Sequence, residues 1–210
     1  MPRIKSALVA LNRLFPFIPS EGSVSREQAE FFTRLLQEKP DIESIAETGF
    51  NTGVSARTVL AARADTTVVS FDIGQNASVR RAKATIDRLF PGRHELVLGD
   101  SRSTLPAYAR EHPDRKFDLV FVDGGHDYDV ARADLLNFRA MSHERTIVIV
   151  DDLTPWWNWG EGPTRVWQEA IRMGLIAPEG LYKNGEPVAE PVGRGLDYIW
   201  GVAHYHQGIR

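Results

Sequence analysis

Phe117-Asp-Leu-Val-Phe-Val-Asp-Gly-Gly-His-Asp-Tyr128 and Thr146-Ile-Val-Ile-Val-Asp-Asp152 are two apolar runs that each end in acid. Runs of this kind, bounded by turn residues, read as strands buried on both faces of a parallel sheet. Ligands in open α/β sheets bind outside the carboxyl ends of such strands. The first run delivers Asp123 there, with His126 three residues on; the second delivers Asp151 and Asp152. If the two strands are neighbours, three carboxylates and an imidazole share one crevice. Such a cluster is costly unless a cation or a substrate uses it.

Outward from these runs the chain alternates. Residues 42–47, 67–72, 95–99, 117–123 and 146–151 read as strands, and 52–63, 77–90, 103–111 and 129–141 as helices. Five strands alternating with helices imply a doubly wound, mostly parallel sheet with helices on both faces. Ser25-Arg-Glu-Gln28 is a capping-box pattern that opens a helix to about residue 38, stopped by Pro40. After Asp152 come a loop with Trp156, Trp157 and Trp159, a helix around 164–173, and two strands, near Leu181 and at 196–205. A terminal pair of this kind closes a sheet with an antiparallel edge. Residues 1–24 form a separate segment, a mildly amphipathic helix over 4–15 and a linker, read as a helix rather than a signal peptide. It covers the site or joins a homodimer; the sequence does not choose. Residues 25–210 form the single α/β domain.

A chain of 210 residues suits one well-cored domain. Its net charge of −3 gives no support for general nucleic-acid or membrane-surface binding. No apolar run approaches the roughly 20 residues of a membrane span. The absence of cysteine rules out disulfides and thiolate metal sites and fits a reducing, cytoplasmic setting.

Glu47-Thr-Gly-Phe-Asn-Thr-Gly53 joins the first strand to its helix. Gly49 and Gly53 permit a tight turn close to a ligand, and Ser55 lies in the helix's first turn. Asp72 ends the second strand, where an acid suits ribose hydroxyls. Asp100 and Ser101 end the third, near where an adenine would lie, though each Asp is also a good cap or turn former. A dinucleotide fingerprint needs G-x-G-x-x-G, and Asn51 stands at its middle glycine. The spacing favours a smaller adenosyl ligand over a pyrophosphate.

Glu47-x-Gly49-x-x-x-Gly53, Asp72, Gly99-Asp100-Ser101 and Asp123 together resemble the class I S-adenosylmethionine-dependent methyltransferases, over about residues 25–205. The resemblance implies a seven-stranded sheet with a reversed last strand. It also implies S-adenosylmethionine bound by Glu47, Gly49, Asn51, Gly53, Ser55, Asp72, Asp100, Ser101 and Asp123. The acids narrow it: Asp123 with Asp151-Asp152 looks like the divalent-metal-dependent O-methyltransferases, catechol-type and antibiotic- or sugar-tailoring. In those an acid after strand four and a pair after strand five bind magnesium. Asp123-Gly-Gly-His126 is similar to the tailoring branch, where a histidine in this place serves as general base. On this reading Asp123 and His126 are catalytic, and Asp123, Asp151 and Asp152 are metal ligands.

The chemistry is coherent by itself. Magnesium prefers oxygen ligands and keeps open positions. A coordinated hydroxyl has a lowered pKa, and a neutral imidazole can take its proton. The partner is a small hydroxylated acceptor. Two other readings stand beside it: a nicotinamide-dependent oxidoreductase, and a non-catalytic S-adenosylmethionine-binding protein with no need of the carboxylates. Asp127 is equally suited to capping the next helix. The three tryptophans serve as an apolar lid or pack their loop onto the sheet. His94, His112, His143, His204 and His206 have no setting comparable to His126, and His204 shows no obvious acidic partner.

Overall fold

A computed structural model describes residues 24–193 and 195–206. The helix expected over 4–15 lies outside the described residues. Among the described residues six α-helices and eight strands follow in chain order: α1 Arg26–Glu38, β1 Ser44–Thr48, α2 Val54–Ala62, β2 Thr67–Asp72, α3 Ala77–Leu89, β3 His94–Leu98, α4 Ser101–Glu111, β4 Phe117–Val122, α5 Tyr128–Phe138, β5 Ser142–Val150, α6 Asn158–Arg172, β6 Ile176–Lys183, β7 Glu186–Val188 and β8 Ile199–Tyr205. A 3₁₀ turn, Arg139–Met141, links α5 to β5.

All eight strands form one sheet in the order β3-β2-β1-β4-β5-β8-β6-β7. The first five are parallel; β8 runs antiparallel to β5, and β6 and β7 follow antiparallel. The doubly wound sheet with a reversed end is therefore as expected, with one strand more. The eighth strand is a hairpin the sequence reading passed over. Asn184-Gly185, both at positive φ (49° and 87°), turns β6 into β7. Asn-Gly is the residue pair that this two-residue turn requires.

Other boundaries differ as well; β5 begins at Ser142, not 146. α6 begins at Asn158, not near 164, because the helix runs through Gly160, Gly162 and Pro163. Gly160 and Gly162 are there for contact: a Cβ on Gly160 would lie 2.1 Å from Thr154 Oγ1, and on Gly162 2.2 Å from the His126 carbonyl. The last strand starts at Ile199, not 196.

The core lies on both faces of the sheet, which is why the strands read as continuous apolar runs. Val120, Val122, Val148 and Val150 point to one side, with Leu105, Leu135, Phe138 and Trp167 of α4, α5 and α6. Leu119, Phe121, Ile147 and Ile149 point to the other, with Phe31, Phe32, Leu36, Val59 and Ile86 of α1, α2 and α3. The capping box is formed: Ser25 Oγ accepts from the Gln28 N–H, and Gln28 Oε1 accepts from the Ser25 N–H. Among the described residues no helix is long and apolar enough to cross a membrane.

Candidate active site

The strand order reverses between β1 and β4, which opens a crevice at their carboxyl ends. Register places the expected residues around it. Thr48 pairs with both Phe71 and Val122, and Val122 with Val150. The Asp123 N–H donates to the Thr48 carbonyl (3.2 Å) and the Asp151 N–H to the Val122 carbonyl (3.0 Å). The two acid-ended strands are thus neighbours, in register to their last residues.

On the β1 side, Gly49 (φ 85°) and Gly53 (φ 69°) are left-handed, and so is Asn51 (φ 45°), a residue type that tolerates it. Gly49 serves the fold as much as any ligand. A Cβ there would come 1.8 Å from the Asp123 carbonyl oxygen, so only glycine lets the two loops meet. Asp72 braces the same loop: Oδ2 accepts from the N–H groups of Phe50 and Asn51 (2.9 Å each), and Oδ1 from that of Gly74 (2.7 Å). A carboxylate offers about four acceptor positions, and three are used. Asp100 is the N-cap of α4, accepts from the Arg102 N–H, and pairs with the Arg102 guanidinium at 2.6 Å. That partner holds its pKa below the usual range. Both acids therefore do the structural work open to them from sequence while standing at the crevice.

Glu47 and Ser55 are buried beneath the loop. Burial lifts the Glu47 carboxyl to about 7, against hydrogen bonds from Ser55 and Ser70. Ser70 Oγ donates to Glu47 Oε1 at 2.6 Å and lies 2.9 Å from His94 Nε2. A hydroxyl has one proton to give, so with Glu47 ionised His94 must donate through Nε2. Its Nδ1 is buried without a partner, and burial depresses its pKa to about 4. His94, first read as lacking a setting, belongs to a buried hydrogen-bond chain with Ser70 and Glu47. His143 and His204 also gain partners, Asp118 at 2.9 Å and Glu179 at 3.2 Å. The His204 partner comes from β6, paired beside β8, a neighbour that no local pattern announces.

Ile73 (57% exposed) and Leu98 (52% exposed) are apolar side chains left in solvent at the ends of β2 and β3. They flank the Asp72 and Asp100 turns and suit the faces of a planar base. The reading from sequence missed them, because two isolated aliphatic residues carry no signal until their exposure is seen.

On the β4–β5 side, Asp151 is buried and Asp123 and Asp152 half-buried. Asp123 is raised well above the carboxylate range by burial, then by the charges of Asp151, Asp152 and Glu47. Asp151 is raised by burial and by Asp152, and held down by a hydrogen bond from Gln28. Asp152 is left-handed (φ 57°), its N–H donating to Asp151 Oδ1 at 2.8 Å. Its Oδ2 lies 2.9 Å from His126 Nε2, and that bond lifts the His126 pKa above 6.5 against a partial loss of solvent. Among the described residues, no set of three or more His, Asp or Glu side chains could, as placed, hold a metal ion. The carboxylates repel one another across the crevice without closing on a single point.

Asp127 is the N-cap residue of α5 but makes no side-chain cap bond. Trp156 is half-buried and packs against the core on one face of the sheet. Trp157 and Trp159 stack at 4.7 Å, and the indole N–H groups of Trp156 and Trp157 donate to the Gly195 carbonyl. Trp156, Lys183, Pro191, Val192 and Gly193 line an open cleft of about 610 Å³.

Comparison with known proteins agrees with this architecture. Residues 46–153, just over half of the chain, match the family model of the methyltransferase domain. Among curated proteins none matches. Similar solved structures include an O-methyltransferase from Bacillus cereus in complex with SAH (16% identity, 97% of this chain and 91% of that one, TM-score 0.70). Another is the O-methyltransferase of tomaymycin synthesis from Streptomyces achromogenes, in complex with SAM (17%, 97% and 89%, TM-score 0.69). A third is the TDP-rhamnose 3'-O-methyltransferase of calicheamicin biosynthesis (21%, 94% and 92%, TM-score 0.62). At these identities the likeness is one of fold.

Proposed function

The chain belongs to the methyltransferase domain family, and from that premise we propose that it is an S-adenosylmethionine-dependent O-methyltransferase. It acts on a hydroxyl of a small molecule, a natural product or sugar, held by a divalent ion. The observation that carries this reading is the registered junction of β1, β4 and β5, which sets the glycine loop against the Asp123, Asp151, Asp152 and His126 cluster.

The residue types suit both absent groups in donor chemistry. The left-handed Gly49–Gly53 loop, Asp72, Asp100 and the flanking Ile73 and Leu98 suit an adenosyl group, and Glu47 suits a cationic end. Asp123, Asp151 and Asp152 offer only oxygens, the donors a hard divalent cation such as magnesium prefers. Their mutual repulsion, visible in the raised pKa of Asp123, is what a cation would relieve. When bound, S-adenosylmethionine supplies an electrophilic methyl group and the ion a Lewis acid.

The chain's own residues do the rest. Asp152 Oδ2 accepts from His126, so this carboxylate would link the base to the residues that would hold the ion. His126 Nε2 donates to Asp152 Oδ2, so the lone pair of the neutral ring is on Nδ1, and Nδ1 takes the proton of the acceptor hydroxyl. Gly162 of α6 packs against the His126 carbonyl and fixes the turn that carries the imidazole. The Trp156 ring, with Pro191 and Val192 in the cleft that it lines, offers apolar surface to a ring-bearing acceptor. Methyl transfer asks for alignment above all, and a rigid junction of three strands supplies it. A nicotinamide oxidoreductase fits less well, since Asn51 stands where a dinucleotide loop has glycine.

Calorimetry with S-adenosylhomocysteine, and a mass-shift screen of hydroxylated metabolites with and without a chelator, test the proposal. We expect binding, a methyl-sized mass gain on at least one acceptor, and loss of turnover on chelation restored by magnesium. Absent binding would remove the cofactor reading; turnover indifferent to thorough chelation would remove the metal.

A further inference from the structure

We infer that Gln28 is a positioning residue for the site, one that holds the Asp151 carboxylate from the far end of the chain; this rests on the reading of Asp151 as a metal ligand. Gln28 Nε2 donates to Asp151 Oδ2 at 2.6 Å, across 123 positions of sequence. Both groups are buried, Gln28 at 2% exposure and Asp151 at 7%. Asp151 Oδ1 accepts from the Asp152 N–H at 2.8 Å. The carboxylate is therefore gripped at both oxygens, and each oxygen keeps a lone pair for a further partner.

The amide is committed at its other end too. Gln28 Oε1 accepts from the Ser25 N–H at 2.8 Å, closing the capping box. These two partners fix its orientation: turned over, it would set a carbonyl against a carboxylate and an NH₂ against an N–H. A capping box accepts Glu or Gln at this position equally. Only Gln can cap Ser25 and also donate to a carboxylate; Glu would aim a second acid at Asp151. The first turn of α1 thus satisfies its own end and orients a functional acid in β5's loop. Groups that orient metal-binding carboxylates matter: losing one typically costs about 10–100-fold in metal affinity or activity.

The test uses Mn²⁺ as probe, its binding followed by electron paramagnetic resonance on the full chain. Gln28→Met keeps volume and removes the donor, Gln28→Ala removes both, and Ser25→Ala removes the other half of the cap. S-adenosylhomocysteine affinity monitors the glycine loop, whereas the side-chain bonds of Gln28 go to Ser25 and Asp151; the two readouts are therefore separate. We expect Gln28→Met and Gln28→Ala to weaken Mn²⁺ by about 10–100-fold with cofactor affinity retained. Ser25→Ala should lower the thermal midpoint and leave Mn²⁺ affinity within about twofold, a cap alone being a stability matter. Wild-type Mn²⁺ affinity in Gln28→Met would overturn the assignment. So would an equal loss in Ser25→Ala, since the effect would then come through the helix end. No Mn²⁺ binding by the unaltered protein would overturn the metal reading itself, and this inference with it.

Discussion

His126→Ala should leave S-adenosylhomocysteine affinity within about twofold and lower turnover by about 10²–10⁴, the usual worth of a general base. Among the described residues the imidazole is the base at the crevice; its Nε2 donates to Asp152 Oδ2 at 2.9 Å and leaves Nδ1 to accept. That bond raises its pKa above 6.5. Only the neutral ring accepts a proton, so turnover should climb as pH rises through the raised value, and the acidic limb should lie above 6.5. The alanine variant should lack that limb. The same shift acts on the fold with the opposite sense: the imidazolium bound to Asp152 stabilises below 6.5, and this is lost as pH rises through the raised pKa. The side chain is 45% exposed, so that contribution is small. A pH–rate profile of both proteins on the true acceptor decides the matter. Turnover of the variant within a few-fold of the parent would pass the role to another group, Asp127 first.

The site's frame was legible because strand ends are local. A run such as residues 117–122 fixes its own strand, and the acid after it needs no partner to be recognised. Parallel pairing then follows from alternation, and the β4–β5 register put Asp123 and Asp151 side by side as expected. Contacts made through space were not legible. Gln28 looked like a cap and nothing more, because its second bond spans 123 positions. His94 looked isolated because Ser70, which links it to Glu47, sits on the adjacent strand. The β6–β7 hairpin is a different case: Asn184-Gly185 was a readable turn, hidden among the glycines and prolines around it. The start of α6 was misplaced because Gly160, Gly162 and Pro163 carry loop signals, whereas here both glycines answer to close packing.

Glu47→Gln should stabilise the cofactor-free protein at pH 8 and weaken its grip on S-adenosylmethionine. Glu47 is buried, and its pKa is raised from 4.5 to about 7 chiefly by that burial. The folded chain therefore holds a proton that the unfolded chain releases between these values. Stability from this group is intact below 4.5 and is lost as pH rises through 7. The shift corresponds to about 3 kcal/mol once the loss is complete. Glutamine keeps an acceptor for the Ser70 hydroxyl and has no proton to lose. The gain should therefore grow from nothing near pH 4.5 to about 3 kcal/mol at pH 8, or about 6–12 °C in Tm for a chain of this size. His94 runs the other way: its pKa is lowered to about 4, so it costs stability as pH falls through 6.5. That slope is common to both proteins and drops out of their difference. On binding, a cationic ligand end beside Glu47 favours its ionised form, and the neutral amide forfeits that attraction. A charge-assisted contact is worth roughly 1.5–3 kcal/mol, so affinity should fall by about tenfold or more. Thermal unfolding from pH 4.5 to 8 and calorimetry read the two effects separately. No stabilisation at pH 8 would mean that Glu47 is not a strained carboxylate; unchanged affinity would mean that it does not face the ligand. Both effects together mean that the empty site carries a cost at Glu47 which only the cationic ligand relieves.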